Sequence, residues 1–271
     1  MNASSGHSVS IQAAGRTSLR PARPACKIAG WTLQAYEAID STQNVAASLP
    51  AWHAVLAKKQ MAGRGQRDRS FTSDTGGLYL TAVVPFDGDA VAWRGFALAI
   101  GWAVRRALRR VGARDLRLRW PNDLMIGSHK VGGLLVTQGS RNTLCVGLGL
   151  NISNQPWLED PALLGVAGRL ADFIDGSLPE TTQLAELMLR AIRAGHLSFK
   201  KRRLSGFVPI LNRCWGPPRR VRLESATQCA LPANEGEFRG LDTDGRVLLA
   251  TATGIVAVPE HHIERVVELA G

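Results

Sequence analysis

Apolar positions along the chain follow two different periods, and the changes between them mark out the elements. "HAVLAKKQ" (53–60) and "GLYLTAVV" (77–84) are short runs rich in β-branched and aromatic residues, which predicts buried strands. Ala97, Ile100, Val104, Leu108 and Val111 then recur at three- and four-residue spacing, which predicts an amphipathic helix with an arginine face. "DLRLRW" alternates like a strand and stops at Pro121, whose ring forbids continuation. "LMI", "KVGGLLVTQG" and "LCVGLGLNIS" resume strands on short turns, an antiparallel pattern. Helices are expected over Pro161–Asp175 and Glu180–Arg203, the second opened by the capping-box spacing Ser177-x-x-Glu180. From about Val208 the chain turns to short strands with an Asp244-Gly245 hairpin signal.

The pattern predicts an α+β fold with a mixed, largely antiparallel sheet and flanking helices, followed by a small β module. It divides into a disordered lead-in at 1–28, a main domain at 29–206 and a β domain at 207–271. The lead-in is Ser/Ala/Arg-rich, broken by proline, and lacks the apolar h-region of a secretory signal. A transit peptide would share its Arg-rich, acid-free character.

Composition adds exclusions. Hydrophobic residues make up 45% and charged residues 20% of the 271 positions, as in ordinary globular proteins. No apolar run approaches the roughly 18 residues of a membrane span, so a cytoplasmic protein is expected. Cys26, Cys145, Cys214 and Cys229 show no C-x-x-C spacing and read as reduced thiols. His261-His262 lacks zinc-protease spacing. The net charge of +11 invites a nucleic-acid reading. Its arginines, however, are spread over helix (Arg105, Arg106, Arg109, Arg110) and strand (Arg117, Arg119), without any DNA-reading module. A solvated basic surface is the plainer account.

Four short stretches carry candidate chemistry. "QMAGRGQRDRSF" (60–71) packs Gly63-Arg64-Gly65 and Arg67 into a long connection, where bare backbone and arginine forks suit an anionic ligand. It matches neither the dinucleotide fingerprint nor the P-loop. "RWPNDLMIGSHKVGGLL" places Asn122-Asp123 in a turn and Lys130 beside Gly132-Gly133, in a chain where only six of thirty-three basic residues are lysine. A surface lysine at a strand start is the bland alternative. "VGLGLN" sets Gly147 and Gly149 inside a strand ending in Asn151, a sign of close approach by ligand or backbone. "DSTQN" (40–44) offers hydroxyl and amide groups, or simply a helix N-cap.

Taken in order, an Asp-Ser-Thr segment, a Gly-Arg-Gly loop running to an aromatic, Trp-Pro-Asn-Asp-Leu, Lys-x-x-Gly and Gly-x-Gly-x-Asn resemble the biotin protein ligases over about residues 31–271. The resemblance implies a class II synthetase-like fold with a C-terminal SH3-like β-barrel. It also implies biotinyl-5′-AMP formation from biotin, ATP and Mg2+, then transfer to a lysine of the biotin carboxyl carrier protein of acetyl-CoA carboxylase. Other biotin-dependent carboxylases are further candidate acceptors. No tightly bound cofactor is implied, and the assembly is a monomer or a homodimer.

By the same resemblance, Lys130 and Arg64 are catalytic, with Lys130 touching acyl oxygen and phosphate. Arg64, Gly65 and Gln66 clamp the carboxylate and adenylate. Ser41, Thr42, Gln43 and Gln60 line the ureido end, and Gly133 and Gly147 admit the bicyclic ring. Arg67, Phe71 and Asn151 contact the nucleotide, and Asp123 organises magnesium indirectly. The loop becomes a lid over an easily hydrolysed anhydride. The chain departs from the family pattern at Gln66, Asp68, Phe71 and Gln43. Gln66 removes a positive charge near phosphate, which Arg67 and Arg69 are placed to offset. The stretch before Trp31 shows no helical periodicity, so the form without a DNA-binding domain is expected. Lipoate or octanoate ligases of the same fold, and a basic nucleic-acid-binding protein, are the alternatives.

Overall fold

The computed structural model describes residues 21–140, 142–225 and 231–269. Most of the expected lead-in (1–20) and Cys229 lie outside them. The large sheet is built from β1 (Cys26–Ile28), β2 (Trp31–Ile39), β3 (His53–Gln60), β4 (Gly77–Pro85), β5 (Arg117–Arg119), β6 (Asp123–Ile126), β7 (His129–Gln138) and β8 (Thr143–Asn151). Their order is β1-β2-β3-β4-β8-β7-β6-β5. Only the β2–β3 pairing is parallel, and the short helix α1 (Thr42–Ala46) makes that crossover. The sheet begins earlier than expected, because β1 pairs with β2 and Ala22 donates to the Ala35 carbonyl.

Strand alternation divides the sheet into two faces. Leu78, Leu80, Ala82 and Val84 of β4 point to the large core under α2 (Phe96–Arg110) and α3 (Thr181–Leu211). On the opposite face Val55, Ala57, Val83 and Cys145 make a smaller apolar cluster with Tyr36, Ile39 and Ala46. Beyond that cluster the second face is left open.

Two helical expectations change. Pro161–Asp175 forms only 3-10 turns at Pro161–Leu163 and Leu170–Asp172. Its backbone is drawn into a strand-like bridge instead, with Lys130 N–H donating to Val166 and Gly168 N–H to Lys130. The second helix starts at Thr181 with Glu180 as N-cap and no side-chain cap, so the Ser177–Glu180 box does not form. It runs to Leu211, past the expected division, with a break at Arg203 (φ 52°, ψ −175°).

The C-terminal module is a five-stranded antiparallel sheet of β9 (Arg219–Ser225), β10 (Glu235–Leu241), β11 (Val247–Thr251), β12 (Gly254–Val258) and β13 (Ile263–Glu268). Its apolar residues Val221, Leu241 and Ile263 join the same core as Leu211 and Trp215. The expectation of a uniformly solvated arginine surface fails at this seam. Arg117 is 6% exposed and donates twice to Glu268 at 2.7 Å. Arg105 donates to the Leu116 carbonyl at 2.7 Å.

Candidate functional site

The open face of the large sheet carries a cavity whose floor begins with α1. Ser41 is its N-cap, extended at φ −156°, and its Oγ accepts the Gln43 N–H. That cap sets Thr42 and Gln43 against the strands, where a buried amide must find partners. Gln43 Nε2 donates to Thr137 Oγ1 at 2.8 Å and to the Cys145 carbonyl at 3.1 Å, and its Oε1 accepts from Thr81 Oγ1 at 2.9 Å. Gln60 Oε1 accepts from the Thr42 N–H at 2.8 Å and hydroxyl at 3.0 Å, while its Nε2 donates to Ser73 at 2.8 Å. The result is a polar floor with fixed orientation.

Glycines hollow the wall. A Cβ at Gly147 would stand 2.7 Å from Gln43 Oε1, and one at Gly149 would stand 2.6 Å from the Phe71 ring. At Gly133 the Lys130 Nζ lies 3.5 Å from where a Cβ would be, so the lysine stem lies across bare backbone. Alternation puts Gly147, Gly149 and Thr81 on the same face, because β4 and β8 pair Thr81 with Gly147 and Tyr79 with Gly149.

The 61–72 loop covers the trough as a hydrogen-bonded hairpin. Phe71 N–H donates to Gly63 at 2.9 Å, Gly65 N–H to Arg69 at 2.6 Å, and Arg64 bridges Ser70. Gly63 is required there, since a Cβ would meet the Phe71 carbonyl oxygen at 2.2 Å. Arg64, Gly65, Gln66 and Arg69 line the cavity, and Arg64 Nη1 also donates to Asn44 at 3.3 Å.

The far end is cationic. Lys130 Nζ stands 2.5 Å from one Asp123 oxygen, and Arg119 Nη2 stands 2.6 Å from the other. Burial pushes the Asp123 carboxyl up, but Lys130 and Arg119 together outweigh it and hold it below the usual carboxylate range. Asp123 therefore fixes two cations and leaves one net positive charge facing the cavity. With both oxygens so engaged, it is a poor ligand for a resident metal. Among the described residues no group of three or more His, Cys, Asp or Glu could hold one.

The cavity holds about 250 Å³, just under the roughly 300–1,000 Å³ of ordinary ligand clefts. It brings together the expected residues from the four stretches, with two exceptions. Arg67 and Asn151 lie outside the lining. Asn151 is buried, donating to the Gly168 carbonyl and accepting from Asn154 Nδ2, each at 3.2 Å. Arg67 donates to the Ile263 carbonyl at 2.5 Å.

Sequence reasoning missed Thr81, Arg119 and the segment Glu264–Val266 of β13 as cavity lining, while Arg69, expected near phosphate, does line it. Alternation along β4 was signal enough for Thr81, and the four-residue spacing to Asp123 was a signal for Arg119. No local signal marks Glu264–Val266, which arrive from a separate sheet.

Residues 35–152 match the model of the biotin/lipoate A/B protein ligase family. The bifunctional ligase/repressor BirA of Escherichia coli K12 is 30% identical over 68% of this chain and 58% of its own length. The chain thus spans about three fifths of that relative. The biotin–[acetyl-CoA-carboxylase] ligase of Paracoccus denitrificans is 27% identical over 77% of this chain and 88% of its own. In three dimensions the fold is similar to the biotin protein ligase of Aquifex aeolicus in complex with biotin and ATP. The TM-score is 0.74 at 23% identity, covering 88% of this chain and 99% of that one.

Proposed function

From the match of residues 35–152 to the biotin/lipoate A/B protein ligase family and the likeness to the Paracoccus denitrificans ligase, we propose that the chain is a biotin protein ligase. It activates biotin with ATP and transfers it to a lysine of the biotin carboxyl carrier protein of acetyl-CoA carboxylase. One observation carries this reading: the cavity joins a neutral amide floor to a cationic end across a trough of glycines. A ureido ring needs fixed donors and acceptors, a fused bicycle needs flat space, and a carboxylate needs cations. The three are met in that order.

In the first step a biotin carboxylate oxygen attacks the α-phosphorus of ATP. The bond to the β-phosphate oxygen breaks and pyrophosphate leaves with the electron pair. In the second step the carrier amine attacks the acyl carbon, gives up a proton, and AMP departs from the broken C–O bond. Both steps gather negative charge on oxygens near Lys130 and Arg64, which preorganised cations stabilise most. Asp123 positions Lys130 and keeps it in place without reorganisation. Magnesium bound to the nucleotide phosphates would neutralise their charge, and Asp123, engaged by Lys130 and Arg119, would act on it only indirectly.

Lipoate is the weaker substrate on this account. It has no ureido group, so it forgoes whatever further hydrogen bonds the Ser41, Thr42 and Gln43 floor offers a ligand. No described helix is long and apolar enough to cross a membrane. A cytoplasmic site of action, and a catalytic unit from 29 to the end of α3 with the C-terminal sheet as a second domain, complete the proposal.

The test is pyrophosphate release from ATP and magnesium, with biotin and lipoate compared, for the native chain and Lys130→Ala. Biotin-dependent release that falls by about 10²–10³ in the variant is expected. Release with lipoate alone would move the chain to the sister activity, and release with neither would refute both.

A further inference from the structure

Arg67 stands at the tip of the cavity loop in left-handed backbone, φ 55° and ψ 47°. Side chains seldom adopt that region, whereas glycine does so freely. An arginine held there calls for a contact that glycine would not make. The contact is made away from the cavity. Arg67 Nη2 donates to the carbonyl of Ile263, the first residue of β13 and 196 positions along the chain. The next three residues, Glu264 to Val266, form cavity wall, and the β13–β9 ladder shifts register between Ile263 and Arg265.

The geometry points to Arg67 as a positioning residue that ties the tip of the loop to the C-terminal sheet. This rests on the ligase reading, and it changes what the loop is for. Arg64, Gly65, Gln66 and Arg69 face inward along the loop, so their aim depends on where the tip is held. The C-terminal sheet is the fixed jaw and the loop is the moving one. A charge-assisted hydrogen bond joins them at the outermost point. While it holds, the mixed anhydride between acyl group and AMP is sheltered from water. When it breaks, every cavity-facing group is still present, but the lid swings.

Two measurements test this on the whole chain, using Arg67→Ala and the conservative Arg67→Lys. In the ligand-free protein, hydrogen exchange of amides in the 61–72 loop should quicken about tenfold in Arg67→Ala, the factor given by 1.4 kcal/mol. Amides of β3 and β8 should be unmoved, and Arg67→Lys should lie close to the native chain. In pyrophosphate release with biotin, ATP and magnesium but no carrier protein, Arg67→Ala should keep the initial burst. Its slow phase, limited by escape of the adenylate, should rise about tenfold.

Unchanged loop exchange would overturn the tether. A lost burst with unchanged exchange would also overturn it, assigning Arg67 to the nucleotide directly. Quickened exchange in a protein whose native form gives no burst would sustain the tether and defeat the ligase reading alone.

Discussion

Leu80 and Thr81 are neighbours in β4, yet they belong to two differently built surfaces. Leu80 faces α2 and α3, and that face is filled with leucine, valine and aromatic side chains until nothing but protein touches it. Thr81 faces the loop, where Gly147 and Gly149 remove volume and Gln43 and Gln60 supply paired polar groups. The same strands build both. What differs is which residue type falls on odd and even positions, so a one-residue shift in register would exchange core for cavity. Filling a face gives stability, and hollowing the other gives a site.

The largest effect that should separate the faces is Leu80→Ala. Removing a fully buried leucine is expected to cost about 2–5 kcal/mol of stability, read from denaturant midpoints, while the biotin KM of the folded fraction stays unchanged. A KM that rose in step with the instability would mean that the faces are coupled. Gly147→Val should do the reverse. Its side chain must displace Gln43, so biotin binding should weaken, measured by calorimetry. Stability should fall by less than for Leu80→Ala.

Acid gives the smallest and most graded contrast. Burial among Trp52, Trp93 and Phe96 lowers the pKa of His196, with Lys200 lowering it further and the Pro85 carbonyl and Asp87 opposing. A group depressed in the folded state binds its proton more readily when unfolded. Its stabilisation is therefore full above the ordinary value of about 6.5 and fades as pH falls below it. Asp123 on the open face is also depressed, so its contribution is full above about 3.9 and is lost only at lower pH through its folded value. The melting temperature should begin to fall below about pH 6.5 in the native chain and stay flatter there in His196→Gln. Equal slopes in the two proteins would remove His196 from the account.

Much of this was legible from the chain. Short β-branched and aromatic runs, with alternation in "DLRLRW", mark most strands of the large sheet, and the glycines inside β7 and β8 signal a close approach there. Local sequence was mute where distant segments decide. Arg117 reads as one more surface cation until Glu268 arrives 151 positions later to bind it. Arg67 is expected at the nucleotide yet reaches the Ile263 carbonyl instead, because a left-handed backbone at a non-glycine leaves no trace in composition. The 161–175 stretch had the residues for helix, but pairing of its backbone with Lys130 at Val166 and Gly168 won over propensity. Gly165, at φ 73°, already bends the chain out of helical geometry.

The shared core of the two sheets has a consequence for the order in which the molecule is made. Ribosomes deliver the large sheet first, and a growing chain folds by the units already emerged. At that stage Trp215 lacks the Phe238 ring it packs against, and the cavity lacks its Glu264–Val266 wall. A polypeptide released early would thus be both sticky and inert. The cavity wall is therefore complete only once β13 has paired with β9.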